Sequence, residues 1–247
     1  MNPIQAQLPV PVLDGPHWRV NFRPDVYKED FIPSLKQCFE IVEKNKLSLR
    51  GWDYPHLSNR QNERAVGNNW VASWSDFWGH REYWRFYQSG QFLHLFGVRE
   101  ATETEWRQKL QMEMKSHLSF MKDIDWDRVP GFISFINLIY SMTEIFEFAA
   151  RLCQAQVYDG VLNIDIRING IKGFVLAPEG GRVWHSYYAA SENELNRTWS
   201  LQSDVLVAEG AEKALTAIVW FFERFGWLSP SQEVIRGEQN KFLKVRN

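Results

Sequence analysis

The sequence predicts an α+β protein: one or more antiparallel sheets with helices packed on one side. Three observations predict it. Segments of period-2 alternation stand beside segments with helical apolar stripes. Both halves of the chain run strands first and helices after. Two short turn signals, Ser89-Gly90 and Asn169-Gly170, sit between apolar runs in the manner of antiparallel hairpins. No Gly-, Ser- or Pro-rich linker parts the halves, so residues 1–247 read as one integrated domain. Its candidate halves are 16–128 and 129–247, and no residue-level repeat marks a duplication.

The elements follow in order. Residues 1–15 hold three prolines and few large apolar side chains, which reads as an arm strapped over the surface. Over 17–23, Trp18, Val20 and Phe22 alternate with His17, Arg19 and Asn21, a half-buried strand that Pro24 ends. Pro33 opens a helix with the stripe Leu35, Cys38, Phe39 and Val42. A short strand is expected over 47–52, closed by Asp53-Tyr54-Pro55. A polar loop follows over 58–69 and an aromatic extended run over 70–77.

Over 83–98 a hairpin with a two-residue turn at Ser89-Gly90 sets Trp84 opposite Leu95 and Phe86 opposite Leu93 on the core side. Its other side pairs Tyr83 with Phe96, Arg85 with His94 and Tyr87 with Phe92. Thr102 and Glu105 read as a capping box for a helix over 102–121. Pro130 opens another, with the stripe Phe132, Phe135, Ile136, Ile139, Phe146, Ala149 and Leu152. Leu162, Ile164, Ile166 and Ile168 then alternate with Asn163, Asp165 and Arg167, and Asn169-Gly170 turns that strand back through 174–177. Two more strands are expected over 182–189 and 198–207. A helix over 211–225 is stopped by Gly226, and a last helix is started by Ser229-Pro230-Ser231-Gln232 with proline at its first position.

Composition bounds the function. The 247 residues are 45% hydrophobic and 23% charged, which is globular usage and not that of a disordered chain. The aromatic share of 15%, with 12 Trp and 17 Phe, reads first as a thick aromatic core and second as material for interfaces and flat ligands. A formal net charge of −2 gives no general pull toward nucleic acid or membrane. Arg236, Lys241, Lys244 and Arg246 make a basic C-terminus that reads as solvation. Cys38 and Cys153 sit in helical patterns as buried small hydrophobes, which fits a reducing compartment. The N-terminus lacks a signal-peptide pattern and no continuous apolar run is long enough to span a bilayer, so a cytoplasmic protein is expected.

Several chemistries lack their signatures. There is no GxSxG, Walker loop, GxGxxG or HExxH, and the six histidines share no ligand-like spacing. No metal and no cofactor is therefore expected, and no catalytic residue is assigned. A metal-dependent nuclease would need carboxylates and a lysine on adjacent strands. Asp159 and Asp165 are present, but Arg167, which hardly releases its proton, stands at the lysine position.

Three places can bind something. In Arg50-Gly51-Trp52-Asp53-Tyr54-Pro55-His56, the side chains of Arg50, Asp53 and His56 can converge around Trp52 to hold a phosphate or carboxylate. The plainer reading is a structural corner with Trp52 buried, Asp53 capping its own turn and Arg50 on the surface. The hairpin face of Tyr83, Arg85, Tyr87 and His94 can stack a flat ligand. Alternatively it lies beneath the helix carrying Trp106 and Met114, which is favoured because large open aromatic patches are uncommon. Glu144 can line a pocket with Ser141 and Asn137, against the ordinary alternative of a solvated helix face. Glu147 and Arg151 form a favourable i, i+4 pair.

Three stretches carry a resemblance: Leu49-Arg50-Gly51-Trp52-Asp53-Tyr54-Pro55-His56, Trp84-Arg85-Phe86-Tyr87-Gln88-Ser89-Gly90-Gln91-Phe92, and Thr143-Glu144-Ile145-Phe146-Glu147-Phe148-Ala149-Ala150-Arg151-Leu152. Phe222-Glu223-Arg224-Phe225-Gly226-Trp227 is similar too. Together they resemble uncharacterised bacterial proteins in which such a region can follow a Schlafen-type, AlbA-like nucleic-acid- or nucleotide-binding domain. That preceding domain is not in this sequence. The resemblance implies a bacterial regulatory or defence-type role and transfers no catalytic residue.

The expectation is a non-catalytic recognition or sensor module acting through a protein partner or a small ligand. The alternatives are a nucleic-acid-binding or nuclease-like protein, and a structural subunit of an obligate complex.

Overall fold

Alternation on the first strand sets the architecture. In the computed structural model, which describes residues 8–77, 79–179 and 185–244, β1 (His17–Pro24) buries Trp18, Val20 and Phe22 on one face. It is followed by α1 (Leu35–Asn45), the short strands β2 (Leu47–Ser48), β3 (Asp53–Tyr54) and β4 (Arg64–Val66), then β5 (Trp70–Phe77), β6 (His80–Tyr87) and β7 (Phe92–Gly97). Next come α2 (Arg99–Thr102), α3 (Thr104–His117), β8 (Phe132–Ser134), α4 (Phe135–Gln154), β9 (Val161–Asn169), β10 (Val175–Ala177) and β11 (Glu194–Gln202). The chain ends in α5 (Ser203–Arg224) and α6 (Gln232–Lys244). The fold is α+β.

Among the described residues, seven strands form one antiparallel sheet in the order β11-β9-β1-β7-β6-β5-β4. β1 lies between β7 and β9, so strands from both halves of the chain share this sheet. The helices gather on one face. There α4 is buried nearly all round, with Phe148 against Phe22 and Phe92 and Phe146 against Trp199. Truncating such a ring costs about 3–5 kcal/mol. On the opposite face Val10 and Val12 cover Ala72, Tyr83 and Leu95.

Several local expectations are corrected. The strand expected over 47–52 is a two-residue strand paired with Asp53–Tyr54, and Gly51 turns the chain between them at φ 77. The polar loop over 58–69 contains β4. Thr102 caps nothing: its hydroxyl donates to the carbonyls of Gly79 and Arg99, and the helical run breaks at Glu103. Pro130 does not open α4, whose N-cap is Ser134 accepting from Asn137 N–H; Phe132 is in β8. Asn169-Gly170 is not a hairpin turn. β10 pairs parallel with β8, and the Gly170 N–H bonds Asn193 instead. The strand expected over 182–189 lies partly outside the described residues, with only Ala189 bridged to Val175 in the rest. The strand over 198–207 ends at Gln202, after which α5 begins. α6 is capped by Ser231, which accepts from Val234 N–H, so Pro230 precedes the helix.

The hairpin register differs by one. Phe86 faces Phe92, Arg85 faces Leu93, Trp84 faces His94 and Tyr83 faces Leu95. The turn is longer than two residues: Tyr87 N–H donates to Gln91 and Gly90 N–H to Tyr87, with Gly90 at φ 79. Because side chains alternate along a strand, a one-residue slip exchanges faces. His94 therefore leaves the face of Tyr83, Arg85 and Tyr87 and joins Trp84 and Phe86 beneath the helices.

Candidate ligand-binding cleft

The hairpin β2–β3, the ends of β6 and β7, α2 and the first turns of α4 enclose a cleft of about 380 Å³. That is the size of a small-molecule site.

Its floor is built on Glu82, which shares a strand face with Trp84 and Phe86. A carboxylate there must be bonded from within. Glu82 Oε1 accepts from Trp52 Nε1 at 2.7 Å, and Oε2 is 2.9 Å from His94 Nε2. The His56 backbone N–H lies 3.5 Å from the same oxygen. Trp52 is thereby pinned, with His56 stacked on it at 4.1 Å and His80 at 5.0 Å between centroids. Burial, with Arg99 nearby, holds His80 below its ordinary pKa.

One wall comes from α4. Glu144 is only 1% exposed and is gripped by Arg50 through Nε at 3.2 Å and Nη2 at 2.6 Å. Arg50 also reaches Ser141 and Asn137. Burial lifts the Glu144 carboxyl above the ordinary carboxylate range, with Arg50 pulling against it. The other wall holds Glu100, 3% exposed, whose Oε1 accepts from Ser134 N–H at 2.8 Å and Asn137 Nδ2 at 3.1 Å. Burial raises this carboxyl too, against its own backbone N–H and those two donors.

Three buried polar atoms of this assembly have no partner among the described residues: Tyr54 Oη, His94 Nδ1 and His56 Nδ1, the last on a residue outside the cleft lining. The side chain of Tyr54 is 6% exposed, and Tyr54 and His94 both line the cleft. Burial, followed by the nearby Glu144 and Glu82, pushes the Tyr54 phenol well up. Orphaned buried groups of this kind are uncommon and cost about 1–3 kcal/mol each.

Of the sequence candidates, the fold brings Arg50, Trp52, His94 and Glu144 to the cleft, with Asp53 at its edge. The expected convergence of Arg50, Asp53 and His56 is corrected. Asp53 is tied to Lys46 at 3.0 Å and to the Ser48 hydroxyl, which hold its carboxyl below the usual range although burial opposes them. His56 acts through its backbone and its stack on Trp52, and its carbonyl accepts from Trp84 Nε1. Glu144 is not on a solvated helix face. Arg151 caps α1 by donating to the carbonyls of Asn45 and Lys46.

Tyr83, Arg85 and Tyr87 stand on the opposite face of the sheet. Arg85 lies 4.0 Å over Trp70 and donates to both tyrosine hydroxyls. That face is covered at Tyr83 by residues 8–12, not by α3. Asp165 accepts from Arg167 on its own strand and from Thr198 on β11.

Sequence reasoning missed Tyr54, His80, Glu82 and Glu100. Glu82 carried a signal: in period-2 step with Trp84 and Phe86, it is a carboxylate on a core face. Among the described residues no cluster of His, Cys, Asp or Glu is placed to hold a metal ion, and no helix is long and apolar enough to cross a membrane. Comparisons with family models, curated proteins and solved structures matched nothing to this chain.

Proposed function

We propose that the chain is a non-catalytic recognition module whose cleft binds a small flat ligand and so acts as a sensor. The observation that carries this reading is the cleft itself, with two buried polar atoms on its lining residues, Tyr54 Oη and His94 Nδ1, that no described residue meets. Because both residues line the cleft, a bound ligand can use this polar capacity. The near-parallel rings of Trp52 and His80, both in the lining, supply a stacking surface. The resemblance supports a bacterial regulatory or defence-type setting. The pairing of Arg236 with Glu212, of Lys241 with Glu238 and of Asp165 with Arg167 weighs against the nucleic-acid alternative.

Native mass spectrometry of the full chain, purified gently at low salt from its own host, tests the reading. A small mass released on denaturation is expected, lost in Trp52→Ala and kept in Arg85→Ala. A released nucleic acid would overturn the reading. So would a bare chain whose melting temperature no member of a metabolite library raises.

A further inference from the structure

The charges around the cleft do not balance, and the imbalance has a location. Asp53 is matched by Lys46, Glu144 by Arg50, and Glu103 by Arg99 at 2.7 Å. Arg81, the remaining arginine in the lining, is turned to Asp76 at 3.4 Å. Among the described residues, two carboxylates of the lining are left with no arginine or lysine, Glu82 and Glu100. Glu82 is fully bonded by Trp52, His94 and the His56 backbone. Glu100 is held by uncharged groups alone among the described residues: Oε1 accepts from Ser134 N–H and Asn137 Nδ2, and the carboxylate also accepts from its own backbone N–H.

A buried carboxylate met only by uncharged donors among the described residues attracts a cation strongly, because little water screens it. The walls beside it suit the same guest. Trp52, Tyr54 and Phe96 line the cleft, and an aromatic face favours a positive charge within about 6 Å of its centroid. An anionic ligand would meet the opposite field. The Tyr54 hydroxyl can accept a hydrogen bond, which a donor-rich cation supplies and an anion does not.

We infer that the ligand of this cleft is a flat organic cation, of amidinium, guanidinium or protonated heterocycle type, with Glu100 as its counter-ion and the Trp52–His80 rings as its stacking wall. This rests on the recognition reading above and adds the ligand's chemical class. Glu100 Oε2 accepts the cation's N–H, while Oε1 stays on Ser134 and Asn137 and holds the carboxylate in place. Arg50 fixes the far wall and is not the ligand's partner.

Three probes of one shape and different charge test it: benzamidinium, benzamide and benzoate, titrated calorimetrically into the full chain. Benzamidinium is expected to bind at least ten-fold more tightly than benzamide, with benzoate showing no heat. Glu100→Gln should lose at least ten-fold in benzamidinium affinity while melting no lower than the parent, since the amide keeps the Oε1 bonds and removes a buried charge. Glu100→Asp, which keeps the charge, should retain part of the affinity. A merely structural Glu100 would show the reverse, lower melting with affinity unchanged, and that would overturn the proposal. Benzoate binding that Trp52→Ala abolishes would overturn the cation and leave the recognition reading standing. Failure of all three probes would overturn the cation inference, while the native mass measurement decides the recognition reading by itself.

Discussion

Strand β6 presents two polar–aromatic clusters, one on each face of the sheet. On the open face Arg85 stacks on Trp70 and donates to Tyr83 and Tyr87, and a strap of N-terminal residues closes over Tyr83. On the helix face, one step along the same strand, Glu82 organises Trp52 and His94, yet Tyr54 Oη and His94 Nδ1 stay unbonded around a cavity. The two clusters share residue types and differ in completeness. A cationic side chain whose bonds are met by its neighbours is architecture. A cluster that meets most of its needs and leaves a few beside a void is arranged for a guest.

The comparison can be broken from the helix face first. Glu82→Ala strips partners from Trp52 Nε1 and His94 Nε2 and should cost about 3 kcal/mol, since each buried donor left unmet costs about 1–3 kcal/mol. Urea denaturation measures it, and a loss below that of Arg85→Ala would reverse the ranking of the two clusters.

Arg50→Ala should cost about 2 kcal/mol. This is less than the ~3–5 kcal/mol for breaking a fully buried pair, because Arg50 is itself one-third exposed. Its pH dependence has a definite sign. Glu144 has a folded-state pKa above its unfolded value of about 4.5, so the folded form holds a proton that the unfolded chain has already released. Stability therefore falls as pH climbs through that window. Without Arg50 the window extends upward. The deficit of the variant should be largest at neutral pH and shrink on acidification, and the double variant Arg50→Ala with Glu144→Gln should recover part of it.

On the open face, Arg85→Ala removes a stacked cation and two hydrogen bonds at the half-buried edge, about 1 kcal/mol, with no change in ligand binding. The smallest effect sharpens the contrast most. Tyr54→Phe removes an unmet hydroxyl and should raise stability by about 0.5 kcal/mol while weakening whatever binds the cleft. A calorimetric scan and a binding titration on the same sample read both signs. Lower stability would mean that the hydroxyl has a partner.

Much of the fold was legible in residues one or two apart. The alternation of β1 and β9, the stripe of α1 and the apolar mass of α4 announce their elements, because burial repeats with the geometry of a strand or a helix. The candidate site was legible in pieces: Arg50, Trp52, His94 and Glu144 stood out singly, but the groups they join did not. The turn after Tyr87 was misread because Ser89-Gly90 also fits a two-residue loop. The longer loop is held by contacts beyond the hairpin, Ile32 N–H to Gln88 and Gln88 Nε2 to Ile32.

What the sequence determined by itself is the α+β class, the elements whose faces repeat, and the surplus of aromatic side chains. Only the tertiary structure decided the sheet order, the one-residue register that puts His94 on Glu82, and the meeting of Arg50 with Glu144 across 94 positions of chain. The reason is physical. Local pattern reports which side of a residue is dry, and the energy of a buried charge depends on which distant donor arrives to meet it.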